Sequence, residues 1–84
     1  MALIDDLVSS GLSLPQAQAV IAEDANGNNV DGLVAAGFTY TQALGIADYD
    51  NNGKTAAQAN NMVVQGLWAG TQVPAIVAEL NVTP

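Results

Sequence analysis

The fold is decided by a stretch that occurs twice, as LVSSGLSLPQAQAVIAEDANG at residues 7–27 and as LVAAGFTYTQALGIADYDNNG at residues 33–53. The offset between the two copies is 26 residues throughout, so that Gly11 recurs as Gly37. Repetition at a fixed period indicates that each unit is one supersecondary piece, which buries its apolar face against its neighbours. Such a chain is more typical of structural and binding proteins than of enzymes with a single catalytic pocket.

A third, looser copy follows as GLWAGTQVPAIVAEL at residues 66–80. We align it with the first two copies through Gly70 and Pro74, which requires an insertion of about seven residues. The chain is expected to form one domain over residues 1–84, with repeat units near residues 2–27, 30–53 and 55–81.

Each unit is predicted to consist of two short helices joined at a glycine, because apolar residues recur at helical spacing and no stretch alternates as a strand does. Ser13 with Gln16, and Thr39 with Gln42, form capping-box pairs, in which the two side chains satisfy free backbone N–H groups at a helix start. Thr71 is expected to cap the last helix. The predicted fold is therefore all-α, one small bundle of about six helices near residues 2–10, 13–23, 30–37, 39–47, 55–68 and 73–80.

The chain is acidic and almost without basic residues. Its 84 residues include eight acids and one base, Lys54, with no arginine, histidine or cysteine, and the net charge is −7. Nucleic acids and anionic membranes are bound through clustered lysine and arginine, so neither is an expected partner. The N-terminal segment lacks the basic region of a signal peptide, and no apolar stretch is long enough to cross a bilayer.

Size and composition both favour association with other proteins. A domain of this size supplies only about 3–5 kcal/mol of net stability, and without cysteine no disulfide adds to it. Charged residues are 11% of the chain, and many polar positions carry Asn or Gln, which suits close packing between proteins. We therefore expect a homo-oligomer, or many copies docked on a larger protein.

Little in the sequence can support catalysis. Histidine and cysteine are absent, and Lys54 has no serine beside it. The paired acids at residues 5–6 and 23–24 are sequence neighbours, which do not share a helix face. We predict that the protein is not an enzyme and has no cofactor.

The connector at residues 48–53 is a weak candidate for a calcium site. Asp48, Asp50 and Asn52, followed by Gly53, match the first half of an EF-hand loop, which has oxygen ligands at alternate positions and then a glycine. Ala59 stands where the loop requires a bidentate carboxylate. A polar turn is therefore the favoured prediction, and a calcium-stabilised helical module is an alternative.

The candidate contact residues are the large apolar side chains beside the repeated glycines. Trp and Tyr are enriched among interface anchors, although a chain this small also needs such residues in its core. Tyr40 and Leu44 are further expected on the inner face of the fourth helix. The candidates are Leu12, Phe38, Tyr40 and Trp68.

Residues 4–34 resemble a ubiquitin-associated domain. That family has a Gly-aromatic loop after its first helix, a Gln-Ala opening to its second and an Asn-Asn-Val opening to its third. The family loop reads Met-Gly-Phe, for which the second unit of this chain has Ala36-Gly37-Phe38. The resemblance implies a soluble cytoplasmic adaptor that binds ubiquitin. The matching residues in the first unit are Gly11-Leu12, Gln16-Ala17 and Asn28-Asn29-Val30.

Over its whole length, the chain is similar to small head proteins of tailed bacteriophages, with tandem LVxxGFTxxQA-type helical units, no cysteine and much Ala, Gly, Asn and Gln. Proteins of that class decorate or cement the capsid shell. The resemblance implies a structural protein on the capsid surface of the virion, which binds the lattice of the major capsid protein in many copies. This is the leading hypothesis; the adaptor and the calcium-stabilised module are the alternatives.

Overall fold

Six helices make up the described part of the protein. The computed structural model describes residues 3–27 and 29–82, and within these ranges it contains no strand. The all-α prediction is therefore confirmed, while Ala2, expected as the first helical residue, lies outside the described residues. The helices are α1 (Leu3–Ser9), α2 (Leu14–Ala25), α3 (Val30–Ala35), α4 (Tyr40–Asn51), α5 (Ala56–Gly66) and α6 (Gln72–Leu80).

Capping boxes fix where three of these helices begin, and the Asn29 side chain caps α3. The predicted capping boxes are confirmed at the starts of α2 and α4. A third box, which was not predicted, joins Thr55 to Gln58 at the start of α5. Thr71 makes no capping hydrogen bond at the start of α6, so that prediction is wrong. Instead, the Ala69 backbone N–H donates to Oε1 of Gln72 at 3.1 Å.

This bond reveals the register of the third unit. It matches the bond in the first unit, where the Ser13 backbone N–H donates to Oε1 of Gln16 at 3.0 Å. The second and third units are thus offset by 30 residues, four more than the first pair, and Gly37 corresponds to Leu67. The alignment through Gly70, with its seven-residue insertion, is therefore wrong.

The backbone at the junction inside each of the three helix pairs supports the new register. Gly11 and Gly37 both have φ of +114°, and Leu67 has φ of +57°. Glycine adopts positive φ without steric cost, whereas a side chain such as leucine is strained there. We call these three junctions the corners, comprising residues 10–13, 36–39 and 67–71.

The three helix pairs close into a ring. Helix α2 packs against α3, α4 packs against α5, and α6 returns to pack against α1. The second helix of every unit therefore contacts the first helix of the next, and the last unit contacts the first. The molecule measures 27 × 25 × 24 Å along its principal axes, as expected for a closed arrangement and not for an extended stack.

Equivalent positions of the three units fill the centre of the ring. The residue after each left-handed corner residue is buried, and the rings of Phe38 and Trp68 lie 5.2 Å apart at 56°. Gly45 lets α4 approach α5, because a Cβ atom there would lie 3.2 Å from Cγ of Met62. The buried apolar residues are Leu7, Leu12, Ala17, Val20, Leu33, Phe38, Ala43, Ile46, Tyr49, Met62, Trp68, Val73, Ile76 and Leu80.

Four helices end at least two residues away from the predicted position: α2 continues to Ala25 instead of residue 23, α3 ends at Ala35 instead of residue 37, and α4 and α5 also differ. Helix α4 continues to Asn51 instead of ending near residue 47, and it buries Ala43, Ile46 and Tyr49. Tyr40 and Leu44, which we expected to face inward, are exposed. Helix α5 ends at residue 66, because the left-handed conformation of the next residue stops the helix two residues before its predicted end.

The corner geometry predicts opposite effects for two substitutions. Leu67→Gly should stabilise the isolated protein by about 0.5–1 kcal/mol. The relief of backbone strain is larger than the entropy that glycine adds to the unfolded chain. Gly37→Ala should destabilise it by about 1 kcal/mol for the converse reason. Urea unfolding followed by Trp68 fluorescence measures both. A lower free energy of unfolding for Leu67→Gly would contradict the proposed register.

Candidate functional site

Charge is divided unequally between the two ends of the helix pairs. Each charged side chain lies in the first turn of an odd-numbered helix, in the last turn of an even-numbered helix, or in the connector between α4 and α5. None lies in a corner. The charged residues are Asp5, Asp6, Glu23, Asp24, Asp31, Asp48, Asp50, Lys54 and Glu79.

The corners are held next to one another by polar contacts. Nε2 of Gln16 donates to the carbonyl oxygen of Gly37 at 3.2 Å, which joins the first corner region to the second. Oγ1 of Thr71 donates to the carbonyl oxygen of Ser10 at 3.2 Å, which joins the third corner to the first. The side chain of Gln72 also lies against Gly11, with Nε2 3.4 Å from the position of a Cβ atom there. The uncharged corners thus form one end of the molecule.

Large apolar side chains are exposed around these corners. Leu67 is 86% exposed, Val64 65% and Tyr40 63%. Seven exposed apolar residues lie within four positions of a left-handed corner residue, whereas Leu44 and Val82 lie further away. We call the corners together with these seven side chains the corner face. The seven are Val8, Leu14, Val34, Tyr40, Val63, Val64 and Leu67.

Three of the four predicted contact residues have side chains that are buried beneath this surface. Leu12, Phe38 and Trp68 are only 4%, 3% and 5% exposed, because the turn at each corner directs the following side chain into the core. They are core residues in this fold, and Tyr40 alone of the four is exposed. Leu67 was not among the predicted contacts, since its position became clear only with the register of the third unit.

The candidate calcium ligands do not converge. Asp48 and Asp50 belong to the last turn of α4, so the loop that an EF-hand requires is not formed. Asn52 Nδ2 donates to Oδ1 of Asp48 at 2.8 Å, while Oδ1 of Asp50 lies 3.0 Å from Nζ of Lys54. Within residues 3–27 and 29–82, no group of three or more Asp and Glu side chains is placed to hold a metal ion.

The opposite end of the molecule gathers acids from three helices. The carboxyl groups of Asp24 on α2 and Glu79 on α6 act on each other's pKa, and the charge of Asp50 on α4 acts on both. Burial, followed by repulsion from Asp24 and Asp50, raises the pKa of Glu79 to about 7. Burial also raises the pKa of Asp24. The hydrogen bond to Asp50 raises the pKa of Lys54.

No protein family, curated protein or solved structure matches this chain. Within the described part of the chain, no helix is long and apolar enough to cross a membrane. The described structure thus has two distinct surfaces: the corner face, and the end that carries Asp24, Asp50, Lys54 and Glu79, which we call the acidic end.

The link between the first two corners can be tested with a matched pair of glutamines. Gln16 and Gln42 form the same capping box, but among the contacts of residues 3–27 and 29–82 only Gln16 of the two also donates to a carbonyl of the next unit. We expect Gln16→Ala to destabilise the protein by about 0.5–1.5 kcal/mol more than Gln42→Ala, the range of one net hydrogen bond. Urea unfolding of both variants measures the difference. Equal losses would show that the link between the corners contributes no stability.

Proposed function

We propose that this protein is a non-enzymatic structural protein that binds another protein through its corner face, as a decoration or cement protein on a bacteriophage capsid. The observation that supports this most is the separation of surfaces. Exposed apolar side chains surround the corners, where there is no charge, and all nine charged residues lie elsewhere. Larger exposed apolar patches mark protein or membrane contacts in soluble proteins, and a chain with a single basic residue is poorly suited to anionic lipid.

Leu67 gives a second, independent argument for an interface. Two of the three corners have glycine at the left-handed position, while the third has a leucine that is 86% exposed. Within the described residues, this side chain gains little burial to offset its strained backbone. Strain of this kind is concentrated at functional sites. Docking on a partner would bury Leu67, and full burial of a leucine contributes about 1.5–3 kcal/mol.

The distribution of charge also fits binding in many copies. A chain docked through its uncharged corner face leaves its acids directed away from the partner, so no carboxylate has to be desolvated in the interface. The remaining negative charge keeps unbound copies soluble and limits their non-specific association. These properties suit a small protein that covers the outside of a shell.

The adaptor hypothesis receives less support from the fold. Its ubiquitin contacts would come from the loops at Gly11-Leu12 and Gly37-Phe38, and both apolar side chains are buried. The calcium-stabilised module would need an open loop from residue 48 onward, but residues 48–51 belong to helix α4. Neither alternative is favoured by a specific feature of the structure, and ubiquitin serves as a comparison protein in the binding test.

The test is cosedimentation with empty capsid shells of the virus whose genome encodes the chain. We expect the wild-type protein to bind the shells and not to bind ubiquitin in a parallel titration. The double variant Val64→Gln, Leu67→Gln should bind at least tenfold more weakly, which corresponds to about 1.4 kcal/mol of lost apolar burial.

Val82→Gln is the matched control, because Val82 is 48% exposed but lies outside the corner face. It should bind the shells like the wild type. Circular dichroism should show that all variants keep the helical content of the wild type. The proposal is wrong if the wild type fails to sediment with the shells, or if the control and the double variant lose binding equally.

A further inference from the structure

The second surface is the acidic end, where the last turns of three helices meet. Glu79 of α6 is only 5% exposed, and its Oε2 has no hydrogen-bond partner. Helix α6 packs against α2, and the carboxyl group of Asp24 on α2 acts on the pKa of Glu79. Two carboxyl groups can share a hydrogen bond only when one of them carries a proton. A proton on Glu79 therefore removes a buried charge and lets its carboxyl group donate toward Asp24, which favours the contact between α6 and α2.

The only basic residue of the chain lies at the same place. Nζ of Lys54 is 3.0 Å from Oδ1 of Asp50 and also donates to the backbone carbonyl of Leu80 at the end of α6. The Tyr49 hydroxyl donates to Oδ1 of Asn81 at 3.1 Å. These contacts tie the end of α6 to the end of α4. The backbone of Lys54 has a positive φ of 55°, a conformation that costs free energy in a residue with a side chain.

The surroundings disfavour a second negative charge in this cluster. Helix C-termini carry partial negative charge, and three of them lie close to these acids. Burial removes the water that would otherwise stabilise an ionised carboxylate. Lys54 offsets one charge only.

We propose that Asp24, Asp50, Glu79 and Lys54 form a proton-operated latch, which holds the end of α6 against α2 and α4 when protonated and releases it when the proton is lost. Helix α6 closes the ring by packing against α1. Opening of the latch therefore loosens the closing contact of the whole molecule, while α4 and α5 stay paired.

The other elements next to α6 add no further titrating group to this cluster. Helix α5 contains no charged or titratable side chain. The acids of α1, Asp5 and Asp6, lie in its first turn and are not among the charges that act on Glu79. The groups that face Glu79 are therefore Asp24 of α2, Asp50 of α4 and Lys54 of the following connector.

The direction of the pH dependence follows from the raised pKa values of Glu79 and Asp24. The pKa of Glu79 is about 7 in the folded protein and 4.5 in its reference state. Between these values the folded state holds a proton that the unfolded state has lost, so the free energy of unfolding falls as pH rises. Asp24, whose pKa is also raised, acts in the same direction. The contribution of this cluster to stability is therefore fully present below the unfolded pKa, declines as pH rises toward 7 and is lost above it.

The first experiment measures thermal unfolding of the 84-residue chain at half-unit steps from pH 5 to pH 8. The wild type should lose at least about 5 °C in Tm over this range, the shift expected for about 1 kcal/mol in a domain of this size. Glu79→Gln should remove most of that dependence, because glutamine is neutral at every pH. Asp31→Asn, which removes an exposed acid at the same end, should keep the wild-type dependence.

The second experiment follows hydrogen exchange of backbone amides at pH 5.5 and pH 8, corrected for intrinsic exchange rates. Protection of the α6 amides should fall at least about tenfold at the higher pH, while α4 and α5 change less. Asp24→Asn provides a second variant with a reduced dependence if Glu79→Gln does not fold. An unchanged Tm between pH 5 and pH 8, or equal loss of protection in all six helices, would overturn the proposal.

Discussion

The structure depends on a left-handed backbone conformation at three points in the chain. At each of these points a helix ends, and the side chain of the very next residue is directed into the core. Positive φ at Gly11, Gly37 and Leu67 achieves this reversal. The side chains that follow, Leu12, Phe38 and Trp68, then meet in the centre of the molecule. A corner that could not adopt this conformation would leave its helix pair without a buried face.

The ring and the polarity of the surface both follow from these corners. One pair of short helices cannot bury enough apolar area to be stable by itself, so each pair packs on the next and the last packs on the first. The units run in the same sense around the ring, so their corners lie at one end. Contacts of Gln16 with Gly37 and of Gln72 with Gly11 hold these corners together. Acids near the other helix ends then collect at the opposite end, where Lys54 pairs with Asp50 and burial raises the pKa of Glu79.

Local signals made the first two units predictable from sequence. Capping boxes and glycine stops depend on residues three or four positions apart, and both were predicted correctly. The third unit was misaligned because a leucine adopts a conformation that sequence patterns reserve for glycine. Ring closure and the burial of Phe38 and Trp68 depend on contacts between distant residues, which spacing alone does not encode. The corner face became recognisable only when the register and the exposed side chains were known together.

Closure of the ring is the central claim, and one measurement tests it most directly. In a nuclear Overhauser experiment on the labelled protein, the side-chain amide of Gln72 should show contacts with the backbone of Gly11. Thr71 should likewise show contacts with Ser10, since its hydroxyl oxygen lies 3.2 Å from the carbonyl oxygen of that residue. If these contacts are absent while those between α2 and α3 and between α4 and α5 are observed, the three units form an open chain of helix pairs, which contradicts the closed ring.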